Sequence, residues 1–303
     1  VTLSLILGGC GKDTVLNTSA SAAADAPQPT AENINAGGCT ETFSSDHFTM
    51  GTSINGQSGW ESDPAAHFNE QVVLLGSDAC RGVGAWKISN TVVSGGFGNQ
   101  PRSPVLAFEA GESTVRASGG GDSMEVTFWI KPASAVADGS AVTLSFSPTS
   151  ADRHNYLRVI NDTEAHGGYR LVVIDYLNFD SNGNNSRTFN ITGLDRTHWM
   201  KVKVISTNPD GPGNDTMELY LNDVLKGTYS SWEDLRTSVN GFNSPTLAVD
   251  RLLLRMSALP SAVDPSFSDS AAAGFYIDDY SQRVFNAANP SVSLDSYQTG
   301  FEP

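Results

Sequence analysis

From about Glu41 onward the chain alternates. Short segments in which every second residue is apolar are separated by Gly, Asn, Asp and Pro. A period of two is the mark of a strand with one buried and one solvated face. It predicts strands over residues 84–89 (GAWKIS), 123–131 (SMEVTFWIK), 141–147 (AVTLSFS), 156–161 (YLRVIN), 169–175 (YRLVVID) and 187–191 (RTFNI). Further strands are predicted over 199–206 (WMKVKVIS), 217–222 (MELYLN), 251–257 (RLLLRMS) and 275–281 (FYIDDYS). Apolar residues recur at helical spacing nowhere beyond a turn around residues 232–236. This many strands at this spacing predict an all-β domain of two packed antiparallel sheets.

The same alternation assigns faces. In SMEVTFWIK, Met124, Val126, Phe128 and Ile130 point inward, while Glu125, Thr127 and Trp129 point out. In WMKVKVIS the inward set is Met200, Val202 and Val204, and the lysines 201 and 203 face water. In MELYLN, Met217, Leu219 and Leu221 pack, leaving Glu218 and Tyr220 outside.

The apolar segment Leu3–Leu7 is far shorter than the roughly 20 residues needed to span a bilayer, and residues 1–9 could otherwise be a buried strand ending in a Gly turn. Leu7, Gly8, Gly9 and Cys10 together resemble a bacterial lipobox. On that resemblance residues 1–9 are part of a signal peptide and Cys10 is the lipidated mature N-terminus. Residues 10–40 then read as the lipidated cysteine and a flexible Ala-, Ser-, Thr-, Pro- and Gly-rich tether. The expected location is the bacterial cell envelope, lipid-anchored, at the outer membrane or cell surface.

The resemblance also shapes the cysteine count. Of three cysteines, Cys10 would carry lipid, leaving Cys39 and Cys80 as an even pair. An oxidising location makes a Cys39–Cys80 disulfide the economical reading, against two unpaired buried thiols. Charge narrows the partners. The 33 acidic against 18 basic residues give a net charge of −15. Such a surface repels phosphate backbones, so nucleic acid is excluded as an expected partner.

Two longer segments resemble a known family. SINGQSGW (53–60), then GAWKISN and FGNQPRSP, is similar to the opening of a concanavalin A-like (LamG-like) jelly-roll domain. HWMKVKVIS followed by DTMELYLNDVLKGTY resembles a hairpin of that family, and FYIDDY its closing strand. The resemblance covers residues 41–285 and implies a jelly-roll sandwich. It is specific for fold and leaves function open. Residues 286–303 read as a linker, with YQTGFEP at its end resembling the start of a second such unit.

Catalysis on that scaffold makes specific demands on side chains. Glycosidases on it carry E-x-D-x-x-E on one strand, which aims nucleophile and acid at the same sugar. Here Glu61-Ser62-Asp63 is followed by Pro64, Ala65 and Ala66, so the third acid is missing. A polysaccharide lyase needs a Tyr or His base and a cation to neutralise a uronate carboxylate. His154, Tyr156 and Arg158 supply those types, with solvated charges on an edge strand as the plainer reading. A binding module needs exposed rings and planar polar groups. Its candidates are Trp129, Tyr220, Arg251 and Arg255, whereas Trp60, Trp86 and Trp199 read as core. Structural calcium could be held by Asp278 and Asp279, or by Asp210 and Asp215, against the alternative of solvated turns.

The expected function is a lipid-anchored surface protein whose sandwich binds glycans or extracellular matrix components without catalysis. The alternatives are a polysaccharide lyase or related glycan-active enzyme, and a structural repeat that self-associates in a surface assembly.

Overall fold

A computed structural model describes residues 48–62, 69–75, 78–89, 101–106, 123–147, 155–162, 167–176, 187–209, 214–231, 249–258 and 274–300. Cys10, Cys39, His154 and Asp210 lie outside these residues, as do all of residues 1–40. The strands are β1 (Asn69–Leu74), β2 (Gly84–Ser89), β3 (Ser123–Pro132), β4 (Ala141–Ser147), β5 (Leu157–Ile160), β6 (Tyr169–Asp175) and β7 (Arg187–Leu194). They continue as β8 (Met200–Thr207), β9 (Thr216–Leu221), β10 (Val224–Tyr229), β11 (Arg251–Ala258), β12 (Phe275–Asn286) and β13 (Asn289–Thr299). Among the described residues there is no α-helix, and no helix is long and apolar enough to cross a membrane.

Two antiparallel sheets result. The larger has eight strands in the order β1-β2-β12-β3-β8-β9-β10, with β13 also paired to β12. The smaller has five, in the order β11-β4-β5-β6-β7. Strands adjacent in space but distant in sequence, such as β12 between β2 and β3, give the crossed connectivity of a two-sheet sandwich. The predicted fold class is thus the observed one.

The core follows the alternation. β8 (MKVKVIST) alternates strictly between buried and partly exposed residues. Met124, Val126, Phe128 and Ile130 of β3 are buried with Met200, Val202, Val204, Met217, Leu219 and Leu221. They face Val142, Leu144, Val159, Leu171, Val173, Leu252 and Leu254 of the smaller sheet. Each such side chain removed from water contributes about 1.5–3 kcal/mol.

SINGQSGW is a loop that plants Trp60 in this core. Gln57 organises it: its Oε1 accepts from Thr49 N at 2.6 Å, and its Nε2 donates to Ser53 O at 2.5 Å. Gly56 and Gly59 have φ of 77° and 83°, which only glycine adopts without strain. Trp60 then meets Trp86 and Tyr280, each at a ring separation of 5.0 Å.

Three strands were not foreseen. β1 is a six-residue edge strand. β10 follows β9 through Asn222 and Asp223, both at positive φ, the two-residue turn that suits strand twist. β13 corrects the reading of residues 286–303 as a linker. Its sequence (NPSVSLDSYQT) is Ser-rich and carries few apolar residues because most of its side chains stay exposed. Tertiary pairing with β12, and the 3.2 Å bond from Trp60 Nε1 to Tyr297 Oη, hold it instead.

β12 also departs from plain alternation. Phe275 and Ile277 face inward, and so do Tyr280, Gln282 and Val284, so parity reverses between them. The register shifts between Asp278 and Ser281, with Asp279 at φ 45°. This is a β-bulge: one extra residue turns the rest of the strand over. Inward-facing Gln282 is satisfied there. Its Oε1 accepts from Ser103 Oγ and Tyr280 Oη, both at 2.7 Å, and its Nε2 donates to Pro104 O at 2.6 Å.

Candidate functional site

Residues opposite one another on neighbouring strands share a face. On the outer face of the larger sheet the pairings therefore build rows across five strands. One row runs Gln298, Ser281, Thr127, Lys203 and Tyr220, from β13 through β12, β3 and β8 to β9. A second runs Ser296, Arg283, Glu125 and Ile205. A third joins Asp278, Trp129 and Lys201, and Lys201 reaches Asp223 in the β9–β10 turn at 3.3 Å.

Gln298, Ser281, Thr127, Lys203, Ser296, Arg283, Glu125 and Lys201 of these rows floor an open hollow of about 500 Å³. Every described residue lining it is polar or charged. β13 contributes Ser293, Ser296 and Gln298, and the β9–β10 turn contributes Asp223. The bulge in β12 is what turns Ser281 and Arg283 into the hollow.

Charges inside are mostly paired. Arg283 Nη2 lies 3.0 Å from Glu125 Oε2, and Lys201 is bound to Asp223. Lys203 Nζ instead stands 4.1 Å above the Tyr220 ring. The Tyr220 hydroxyl donates to Glu218 at 2.5 Å, and that bond to a carboxylate holds the phenol above its ordinary range.

The predicted site residues divide between the two sheets. Tyr220 borders the hollow through Lys203. Trp129 lies on the expected face but is only 3% exposed, so it offers no open ring for stacking. Its neighbour in register, Asp278, is the physical reason. The Asp278 carboxylate accepts from Cys80 N at 3.1 Å and Arg81 N at 3.2 Å, which draws that chain segment onto this end of the face. Trp199 is corrected the other way. It is partly exposed on the outer face, 6.4 Å from Tyr276, with its Nε1 donating to Asp78 O at 2.9 Å.

Arg251 and Arg255 are on β11, in the other sheet. Arg251 is ion-paired to Asp250 at 2.6 Å. Burial pushes the Asp250 carboxyl up, and Arg251 opposes that shift. Tyr156 and Arg158 also belong to the smaller sheet, away from the hollow's floor. Tyr156 has Tyr176 at a ring separation of 6.3 Å, and burial pushes the Tyr176 hydroxyl far up, which makes it a poor base near neutral pH. The structure does not bring Trp129 and Tyr220 together with Arg251 and Arg255.

Asp278 and Asp279 are not joined by a third grouped ligand among the described residues, and Asp210 of the other pair lies outside them. Asp278 and Asp279 are buried at the bulge, and Asp278 Oδ1 accepts from Asp279 N at 2.8 Å. Asp215 accepts from the Ser231 hydroxyl. Among the described residues no three His, Cys, Asp or Glu side chains are grouped to hold a metal. Cys80 is disulfide-bonded, to a partner outside the described residues.

Arg283, Ser296 and Gln298 went unrecognised in the sequence. Gln282 to Val284 continues a strand pattern, but its facing is readable only once the bulge is known.

No protein-family model matches the chain. No curated protein matches it either. Among solved structures it is similar to a sialidase at 11% identity and TM-score 0.38, over 80% of this chain and 17% of that one. It is similar to the heptameric SAP-like pentraxin from Limulus polyphemus at 13% identity and TM-score 0.29, over 54% and 64%. An alginate lyase from Alteromonas sp.272 is matched at 10% identity and TM-score 0.33, over 63% and 81%. The chain therefore spans less than two thirds of the length of the sialidase and the pentraxin. Likenesses this distant name no ligand, so the functional reading rests on the residues of the hollow.

Proposed function

We propose that the sandwich is a non-catalytic module that binds glycans through the outer face of its larger sheet. One observation carries this reading: the hollow is lined, among the described residues, by hydroxyls, amides and charges alone. The hydroxyls of a polyhydroxylated ligand pair with convergent polar groups of this kind, and Tyr220 beside Lys203 supplies the ring at its border. A protein partner would call for apolar or aromatic anchors at the centre of the contact. The two carboxylates that line the hollow, Glu125 and Asp223, are each ion-paired to a cation, an arrangement suited to holding a ligand rather than to moving protons.

Display at the bacterial envelope belongs to the same proposal. The lipobox-like residues 7–10, followed by a tether, support lipidation at Cys10, and Cys39 is then the partner of Cys80. Mass analysis of the intact protein is expected to find the acylated Cys10. A Cys10→Ala variant is expected in the soluble fraction.

A glycan array probed with the protein, followed by product analysis on each hit, tests the binding function. Binding with no new chain ends supports it. Release of unsaturated products, lost in Tyr156→Phe, would replace it with the lyase reading. Self-association at micromolar concentration without any glycan hit would replace it with the structural repeat.

A further inference from the structure

We propose that the hollow selects anionic glycans, those bearing carboxylate or sulfate groups, and that Lys203 anchors the anionic group. This rests on the glycan-binding reading above and names its ligand class.

The argument begins with charge placement. The chain as a whole has 33 acidic and 18 basic residues. The lining of the hollow reverses that balance, with Lys201, Lys203 and Arg283 against Glu125 and Asp223. A cationic hollow on an acidic protein is an inverted local field, and it gathers anions while the remaining surface repels them.

Lys203 differs from the other two cations. Lys201 and Arg283 are ion-paired to carboxylates of the same hollow. Lys203 makes no ion pair among the described residues, and its ammonium rests above the face of Tyr220. The ring steadies a cation without using its three N–H donors. The lysine sits mid-sheet on β8, between Thr127 and Tyr220 in register, so a ligand lying along the row must cross it.

A neutral ligand closing over Lys203 would strip its water and return no counter-charge, a net cost. An anionic group returns a charge-assisted hydrogen bond at that point. Around it, Thr127, Ser281 and Gln298 offer hydroxyls and an amide for the sugar itself.

The test measures binding of the protein to polygalacturonate oligosaccharide, to its carboxyl-reduced neutral counterpart, and to a sulfated galactan. A poly-glutamate peptide serves as the non-sugar anion. The acidic sugars are expected to bind about tenfold or more tightly than the reduced one, weakening as salt rises. Lys203→Met keeps the apolar stem over Tyr220. It is expected to lower acidic-sugar affinity about tenfold while changing neutral-sugar affinity less than about twofold. Lys203→Arg is expected to retain the preference, and unchanged melting of both variants excludes misfolding. Equal binding of acidic and neutral sugars, or no effect of Lys203→Met, overturns this inference and leaves glycan binding intact. Poly-glutamate binding as tightly as the acidic sugars also overturns it, because the hollow then reads charge alone. Failure of every glycan on the array overturns the underlying function instead.

Discussion

The outer faces of the two sheets come from the same kind of sequence and end in different states. On both, alternation places charged and polar residues outside: Lys201, Lys203 and Glu125 on one, Arg158, Arg170 and Arg251 on the other. On the smaller sheet Arg170 contacts Asp162 and donates to Asn190 Oδ1 at 2.8 Å, and Arg251 is held by Asp250. On the larger sheet β13 and the β9–β10 turn stand at the sides of a floor and make a hollow of it. Polar alternation thus supplies a wettable surface. What makes one of these surfaces a site is the wall around it, with Lys203 held on a ring rather than by a carboxylate among the described residues.

The comparison breaks most completely if the core beneath both faces is lost. Trp86→Ala should cost about 3–5 kcal/mol, because its neighbours Trp60, Val72 and Ile277 cannot close the cavity. Thermal unfolding would register this, and both faces would be lost together.

Ending the chain after Asn286 removes only β13. Glycan affinity is expected to fall about tenfold or more as the hollow loses its wall, since affinity depends on such contacts rather than on the fold alone. The melting temperature should fall less than in Trp86→Ala, because β13 is mostly exposed. Retained affinity in the shortened chain would place the site elsewhere.

Single charges sharpen the contrast. Arg283→Gln on the larger sheet should weaken glycan binding several-fold, to about tenfold, while Arg255→Gln on the smaller should change it less than about twofold. Equal losses would mean that the two faces do not differ in function. Calcium at Asp278 and Asp279 is proposed as a structural aid to the bulge. A rise of a few degrees in melting temperature with calcium, reversed by EGTA, is the expected result, and no shift would remove the ion from the account. The smallest effect is expected from Tyr220→Phe, within about 0.5 kcal/mol in stability, because the phenol is on the surface.

Much of the frame was legible in the residues. Met124 to Lys131 and Met200 to Thr207 point where their parity says, since a strand's side chains must alternate and one face must be dry. The hairpin resemblance of DTMELYLNDVLKGTY agrees with the observed turn at Asn222 and Asp223, since Asn and Asp tolerate positive φ better than most residues. Trp129 shows the limit. Its parity was right and its exposure wrong, because a segment some fifty residues earlier in the chain is drawn over it by Asp278. Residues 289–299 show the converse: too polar to announce a strand, they become one through pairing with β12.

The sequence by itself determined the sandwich, the strands of its centre, the inward and outward sets on β3, β8 and β9, and the acidity of the whole. These follow from rules that act within a few residues: alternation, turn chemistry and summed charge. Only the tertiary structure decided that Arg283 enters the hollow, that β13 walls it, and that, among the described residues, Lys203 alone of its cations lacks a carboxylate. Those facts depend on a bulge that reverses parity and on pairings between distant segments, and short-range pattern carries no information about either.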